Sequence, residues 1–152
     1  MAKIHYELAF HPDDRARLIA LRTDVYRSVG KHLASGPMSD QFDHGALLVG
    51  VYSGKEPVAC ARVVCQHKDA EWEHDRFVDW PASLPPRDQC AEVSRFCIVR
   101  KHRNWRTMRL LCHGVAEAML LTRQRYLVAC CTDELVHFYR GTTMAGIIRD
   151  EA

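Results

Sequence analysis

Residues 46–65 read ALLVGVYSGKEPVACARVVC, and this segment gives the strongest indication of the fold. Two apolar runs rich in β-branched residues, 46–52 and 57–65, are separated by the polar segment SGKE at 53–56. Apolar runs of this length around a short glycine-containing loop are typical of an antiparallel β-hairpin. We therefore expect the middle of the chain to be the middle of a sheet.

Before the hairpin, an alternating apolar run at Ile4, Tyr6 and Leu8 predicts a strand. A helix is predicted next, because apolar residues at three-to-four spacing begin after Pro12 and end at Gly30. The following polar segment, 31–39, is predicted to be a loop.

After the hairpin comes a charged, aromatic and proline-rich insert that ends before Cys90, for which we expect irregular structure and a short helix near residues 71–78. Further along, the apolar patterns predict a strand at 91–99, a helix at 106–123, a strand at 126–131 and a helix from Asp133. The order β-α-β-β-β-α-β-α predicts an α/β (α+β) fold, with a mixed central sheet flanked by helices.

The composition fits one soluble domain over residues 1–152, with 47% hydrophobic and 26% charged residues. No apolar run is long enough to cross a bilayer and the start lacks a signal-type pattern, so we expect a cytoplasmic protein without a transmembrane segment. A net charge of +2 is too small to indicate a nucleic-acid partner.

The seven cysteines form an odd set, and most of them lie in apolar runs. Buried free thiols are therefore the expected state, rather than a disulfide framework. No Cys-x-x-Cys pair is present, and we expect no metal site.

Four short motifs follow one another along the chain. They are Leu21-Arg22-x-x-Val25-Tyr26, Asp40-x-x-Asp43, Ala61-Arg62-Val63 and Glu92-Val93-Ser94-Arg95-Phe96. In this order the chain resembles the acyl-homoserine-lactone synthases and the long-chain N-acyl amino acid synthases, whose elements are Arg-x-x-Val-Phe, Asp-x-x-Asp, Cys-x-Arg-Leu and Glu-x-Ser-Arg-Phe. Both are GNAT-fold acyltransferases, and the resemblance covers roughly residues 15–140.

The resemblance implies a GNAT-like, mostly antiparallel sheet and an N-acyltransferase that moves a fatty acyl group from an acyl carrier protein thioester to the amine of an amino acid. The implied co-substrate is acyl-phosphopantetheine on an acyl carrier protein, or acyl-CoA, with no tightly bound cofactor. The implied partners are the carrier protein and a small-molecule amine.

Two alternatives remain. One is a lactone synthase that uses S-adenosylmethionine, but those enzymes usually carry a Trp shortly after the helical aromatic residue, and KHLA at 31–34 has none. The other is a non-catalytic acyl-binding module. Since related proteins continue into a final pair of strands, we expect the C-terminal part of the domain to be shortened here or replaced by a partner.

Amide formation from a thioester needs a proton acceptor for the amine, a donor to the carbonyl oxygen and a site for the pantetheine arm. Glu92, on a strand at the centre of the sheet, is the candidate acceptor; its alternative role is a structural ion pair with Arg62 or Arg95. The GNAT resemblance implies that Tyr139 protonates the leaving thiolate.

Asp40 and Asp43 are spaced so that both carboxylates can face one amine or cationic group, although aspartates also favour turns and helix N-caps. Arg22 shares a helix face with apolar residues and must have an acidic partner, because an unpaired guanidinium would not stay buried. The expected substrate-binding residues are Arg22, Tyr26, Asp40, Asp43, Arg62, Ser94 and Arg95.

The segment 100–108, RKHRNWRTM, stands where GNAT enzymes that use coenzyme A carry a glycine-rich turn, but it contains no glycine. It is basic, which suits an acidic carrier protein, although it is also typical of a solvated helix start. Backbone N–H groups at 96–98 are expected to face the oxyanion. The expected acyl- and pantetheine-binding residues are Phe96, Cys97, Ile98, Arg103 and Arg106, of which the apolar ones are otherwise core.

Overall fold

The computed structural model describes residues 2–31, 34–65, 71–77, 79–80 and 82–131. These residues form β1 (Ile4–Ala9), α1 (Pro12–Ser28), β2 (Leu47–Ser53), β3 (Glu56–Cys65), β4 (Cys90–Ile98), α2 (Trp105–Leu121) and β5 (Tyr126–Val128). Short 3₁₀ turns lie at Gln41–Asp43, Glu73–Arg76, Arg87–Gln89 and Arg100–His102.

The strands make one sheet in the order β1-β2-β3-β4-β5. Neighbours from β1 to β4 are antiparallel, and β5 runs parallel to β4. The predicted mixed, mostly antiparallel sheet flanked by helices is therefore confirmed.

The hairpin at 46–65 is confirmed as β2 and β3, with Ser53 paired to Glu56 across the turn. Gly54 has a φ of +63°, a conformation that glycine adopts without the penalty of a Cβ atom. A glycine at the first loop position is the feature of a type II′ turn, whose twist matches that of the two strands.

One helix covers each face of the sheet. Leu18 of α1 packs with Leu48 and Cys60 on one face, here called the α1 face. On the other, the α2 face, Val115 of α2 packs with Val49 and neighbouring apolar residues of the strands.

The predicted helix boundaries agree with the caps. Gly30, with a φ of +69°, follows α1, and the N–H of Lys31 donates to Tyr26 O at 2.9 Å. The side chain of Asn104 caps α2 by accepting a hydrogen bond from the N–H of Thr107.

Two irregularities in β4 shape the centre of the sheet. Cys60 pairs with Cys97 and Arg62 with Ser94, so one residue of β3 faces two residues of β4, Arg95 and Phe96. This two-against-one pairing is a β-bulge, and it holds Arg95 at a φ of +53°.

The second irregularity is a fork between β4 and β5. Pairing ends at Glu92 and Val128, so the strand predicted to run to residue 131 is three residues shorter. Within the described residues no strand pairs with the β5 side of β4 after Glu92. In the part of the chain that the structure describes, this edge of β4 is unpaired from that point.

The described part of the insert, 71–77, 79–80 and 82–89, is irregular as predicted, with the 3₁₀ turn Glu73–Arg76 in place of the short helix expected there. All seven cysteines are free thiols. The helix predicted from Asp133 and the candidate acid Tyr139 lie outside the described residues.

Candidate active site

Six charged side chains from separate segments meet on the α1 face of the sheet, beside β3 and β4. This charge cluster consists of Arg22, Asp40, Asp43, Arg62, Glu73 and Arg95. Its three arginines balance its three carboxylates.

Arg22 and Asp43 form the innermost pair of the charge cluster. The guanidinium contacts both carboxylate oxygens, at 3.0 and 2.7 Å, and also donates to Met38 O. The exposed fraction of the two side chains is 0% and 6%. Burial raises the pKa of Asp43, but the hydrogen bond and charge of Arg22 outweigh it and hold that pKa below its ordinary value. Arg22 thus has the acidic partner that its position required.

Arg62 is the hub of the cluster, because each of its nitrogen atoms binds a different segment. Its Nε donates to Ser94 Oγ at 3.0 Å, Nη1 lies 2.5 Å from Asp40, and Nη2 lies 2.6 Å from Glu73. The side chain of Arg62 is completely buried. It joins the loop after α1, the insert and β4.

Arg95 forms the outer rim of the cluster. Its Nη2 lies 3.1 Å from Asp40 and 2.5 Å from Glu73, and all three side chains are 16–25% exposed. The bulge is what turns Arg95 toward these carboxylates. Its Nε is buried and lacks a hydrogen-bond partner within the described part of the chain.

Asp40 fills the capping role considered from the sequence and also binds two arginines of the charge cluster, while its substrate-binding role stays a prediction. Its carboxylate caps the 3₁₀ turn Gln41–Asp43 by accepting from the N–H of Phe42, while the same carboxylate binds Arg62 and Arg95. The Asp43 side chain makes the second hydrogen bond of the cap by accepting from the N–H of Asp40 at 3.0 Å. The Asp-x-x-Asp spacing therefore makes a capping box and the acidic half of the cluster together.

Tyr26 extends from α1 toward the cluster and is half-buried against the core of the α1 face. Burial and the nearby Cys97 thiol raise the pKa of Tyr26 to about 12, against the opposing charges of Arg95 and Arg22. Tyr26 is therefore a neutral hydrogen-bonding group at physiological pH.

Glu92 lies at the fork between β4 and β5 and is completely buried. It does not pair with Arg62 or Arg95, the ion pair considered from the sequence, because those arginines bind Asp40 and Glu73. Its Oε2 instead lies 3.4 Å from Nδ1 of His74. Its Oε1 has no hydrogen-bond partner among the residues described.

The three apolar candidates on β4 do not share one pocket. The half-buried Phe96 packs on the α2 face, where the buried Ile98 also lies, while Cys97 is buried on the α1 face against Leu18. Only their backbones line the same open strand edge. The side chains of Cys97 and Ile98 are core residues.

The turn and helix start after β4 form an exposed basic surface, defined by Arg100, Lys101, Arg103, Arg106 and Arg109. Within it, Lys101 lies 3.5 Å from Glu56, and Arg103 Nε donates to Ile98 O at 3.1 Å. No acidic partner of Arg106 lies in the described part of the chain. Of the sequence-predicted residues, five lie in the charge cluster and two, Arg103 and Arg106, in this basic surface.

Sequence reasoning missed Glu73 and His74, which belong to the insert. The available signal was Trp72, a large aromatic residue in a charged segment, which is completely buried against Trp80 and anchors the insert to the sheet. A buried anchor beside acidic residues indicates an insert that folds onto the site.

In the part of the chain that the structure describes, no group of three or more His, Cys, Asp or Glu side chains could hold a metal ion. None of the helices described there is long and apolar enough to span a membrane.

Residues 21–113 match the family described as the acetyltransferase (GNAT) domain. The search of curated proteins finds no match.

Several solved structures have a similar fold. The acyl-homoserine-lactone synthase LasI superposes with a TM-score of 0.70 at 14% identity, covering 93% of this chain and 78% of that one. FeeM, an N-acyl amino acid synthase from uncultured soil microbes, gives 0.66 at 13%, covering 91% and 77%. A GCN5-related N-acetyltransferase from Ralstonia eutropha gives 0.65 at 16%, covering 99% and 97%. At these identities the likeness shows the fold.

Proposed function

The chain belongs to the GNAT acetyltransferase domain family and is an acyltransferase, and from this premise we propose that it is an N-acyl amino acid synthase. It transfers a fatty acyl group from an acyl carrier protein thioester to the amine of an amino acid. The observation that carries the proposal is the charge cluster, in which residues of all four sequence motifs form one network beside the fork of the sheet.

The charge cluster supports an amino acid as the acceptor. Its rim offers the buried Nε of Arg95, which has no partner among the described residues and is a donor suited to a carboxylate, next to Asp40, whose carboxylate is suited to an ammonium group. A zwitterion can satisfy both. The interior pairs of the cluster hold these two groups in place.

The fork between β4 and β5 supports a binding site for the pantetheine arm that carries the thioester. Beyond Glu92, the edge of β4 that no other described strand covers presents backbone groups, and the amide groups of a pantetheine arm can pair with them as an added strand would. The bulge leaves a break in the ladder at Arg95 and Phe96, where N–H groups can stabilise the oxyanion.

In the proposed reaction the substrate ammonium first loses one proton to solvent, and the neutral amine nitrogen then attacks the thioester carbonyl carbon. The C–N bond forms, the C–S bond breaks with its electron pair on sulfur, and Glu92 accepts the amine proton directly or through one water. Tyr139 is the proposed donor to the thiolate.

The basic surface supports a carrier protein rather than free coenzyme A, the other possible co-substrate. Exposed Arg106 and Arg109 suit an acidic partner. The glycine-free turn leads into a helix whose Thr107 N–H is already bound by Asn104, so fewer donors remain for a pyrophosphate.

The test is mass spectrometry of the products that the full chain forms from mixed acyl carrier protein thioesters, acyl-CoA, the twenty amino acids and S-adenosylmethionine. We expect an N-acyl amino acid that Glu92→Gln decreases by at least about 100-fold. An acyl lactone would replace this proposal with the lactone synthase. Bound carrier protein without any product would indicate a binding module.

A charge-reversal pair tests the carrier protein. Arg106→Glu with Arg109→Glu should raise KM for the acyl carrier protein thioester at least tenfold and leave KM for acyl-CoA nearly unchanged. The matched control is Lys3→Glu with Lys31→Glu, which changes the net charge equally at exposed positions outside the basic surface. Equal effects of the two pairs would refute a specific docking surface.

A further inference from the structure

Glu92 and His74 form a buried pair whose charge is not compensated by the charge cluster. The cluster is internally balanced, and none of its arginines lies within ion-pair distance of Glu92. Among the described residues the one cationic group within 4 Å of its carboxylate is the His74 imidazole, if it is protonated. An isolated buried carboxylate would be very costly, so the charge of Glu92 depends on His74.

The pair therefore holds one shared proton. If Glu92 is ionised, His74 carries the proton; if His74 is neutral, Glu92 carries it. Either arrangement is neutral overall. Burial lowers the pKa of His74, while the negative charge of Glu92 opposes that shift.

The two carboxylate oxygens have different surroundings. Oε2 faces His74, 3.4 Å from its Nδ1 and 3.5 Å from its backbone N–H. Oε1 and His74 Nδ1 are both buried and both lack a well-formed hydrogen bond to the described residues. One oxygen thus faces the imidazole, and the other is available to a reacting group.

His74 is held in this position from both sides. Glu73 is bound by Arg62 and Arg95, and Asp75 is bound by Arg87 at 2.5–2.6 Å. The turn that carries the imidazole cannot move without breaking these ion pairs. Such fixation suits proton transfer, which depends strongly on distance.

We propose that His74 is a positioning residue that takes a proton from Glu92, so that Glu92 can accept the proton of the amine. As the amine nitrogen bonds to the carbonyl carbon, its proton passes to Oε1 of Glu92, and the proton already on Oε2 passes to Nδ1 of His74. The C–S bond breaks and the thiolate takes a proton from Tyr139, its proposed donor; Tyr139 then regains a proton from solvent, and His74 returns one to solvent. The inference rests on the proposed acyl transfer.

The decisive comparison is His74→Asn against His74→Ala. The amide nitrogen of asparagine can occupy the Nδ1 position and donate a hydrogen bond to Glu92, but it cannot accept a proton. We expect both variants to lose about 10- to 100-fold in kcat, with KM within about twofold of wild type. A wild-type kcat in His74→Asn would overturn the proposal, since His74 would then only orient Glu92.

The pH profile gives a second readout. Wild-type kcat should fall on the acid side, where His74 becomes protonated and the pair holds two protons; because burial lowers the pKa of His74, this acid limb should lie below the ordinary pKa of histidine. The charged groups around His74 are Glu73 and Asp75 on its own turn, Glu92 on β4, and Arg87. This acid limb should be absent from His74→Asn; its persistence would overturn the proposal.

A measurement that does not depend on turnover tests the Glu92–His74 pair separately from the proposed acyl transfer. The imidazole signal of His74, assigned by its loss in His74→Asn, should titrate in two steps in the wild type and in one step in Glu92→Gln, by ¹⁵N NMR. Identical titration curves in the wild type and in Glu92→Gln would refute the proposal that the two residues share a proton. Two steps without acyl transfer in the wild type would refute the proposed function alone.

Discussion

Replacing Arg62 with methionine is the sharpest test of how the site is built. Methionine keeps most of the length and apolar stem of the side chain and removes the guanidinium. That guanidinium binds Ser94 Oγ at 3.0 Å, Asp40 at 2.5 Å and Glu73 at 2.6 Å. Without it, Arg95 would be the remaining ion-pair link between Asp40 and Glu73 among the described residues.

The expected loss of unfolding free energy is about 3–5 kcal/mol, the usual cost of removing one partner from a buried ion pair. Arg95 limits this loss, because its contacts at 3.1 and 2.5 Å still compensate the partly exposed carboxylates of Asp40 and Glu73. Adding Glu73→Gln to Arg62→Met should recover about 1–3 kcal/mol, because it removes a stranded charge.

Urea unfolding followed by tryptophan fluorescence measures these differences. Lys101→Met is the matched control, since it breaks an exposed ion pair to Glu56 of β3 and should change stability by less than about 0.5 kcal/mol. An Arg62→Met loss as small as that of the control would refute the hub role. A double variant, Arg62→Met with Glu73→Gln, that is less stable than Arg62→Met would also refute this role.

Two further predictions concern packing and acid stability. In Gly114→Ala the new Cβ would lie 2.3 Å from Val49 Cγ1, so helix α2 must shift from the sheet. We expect the free energy of unfolding, measured by thermal unfolding, to fall by about 1–3 kcal/mol. Gly45→Ala is the control, because its new Cβ would meet open space and should cause no packing loss. Because Arg22 holds the pKa of Asp43 below its ordinary value, this pair contributes stability above about pH 4 that is lost as the pH falls through the folded-state pKa. Urea titrations from pH 7 to pH 3 should show a smaller acid-dependent loss in Asp43→Asn, and an unchanged loss would contradict the assignment.

The sequence predicts those parts of the fold whose cause is local. The hairpin follows from two apolar runs around Gly54, and the end of α1 follows from Gly30, since both glycines adopt a positive φ. The acidic partner of Arg22 is also predictable in kind, because a guanidinium on an apolar helix face cannot stay unpaired. Which aspartate pairs with it depends on tertiary contacts.

The sequence does not predict the features that depend on register or on distant segments. The strand from Tyr126 ends early because its pairing with β4 stops at the fork, although its apolar pattern continues. Glu73 and His74 reach the site only because buried Trp72 anchors an insert whose composition indicates irregular structure. Their roles follow from that long-range packing.

The β-bulge connects the charge cluster to the reaction centre. Ser94 contacts Arg62 on the α1 face, and strict alternation would then place Phe96 on that face among the charges. The extra residue turns Arg95 to the cluster and Phe96 to the apolar α2 face, and it breaks the ladder at the same point. Since residues 92 and 95 are about 10 Å apart along an extended strand, Glu92 and an oxyanion held at the bulge are separated by more than one side chain. We therefore expect a water to bridge the amine and Oε1 of Glu92, so that the proton reaches the carboxylate through this water.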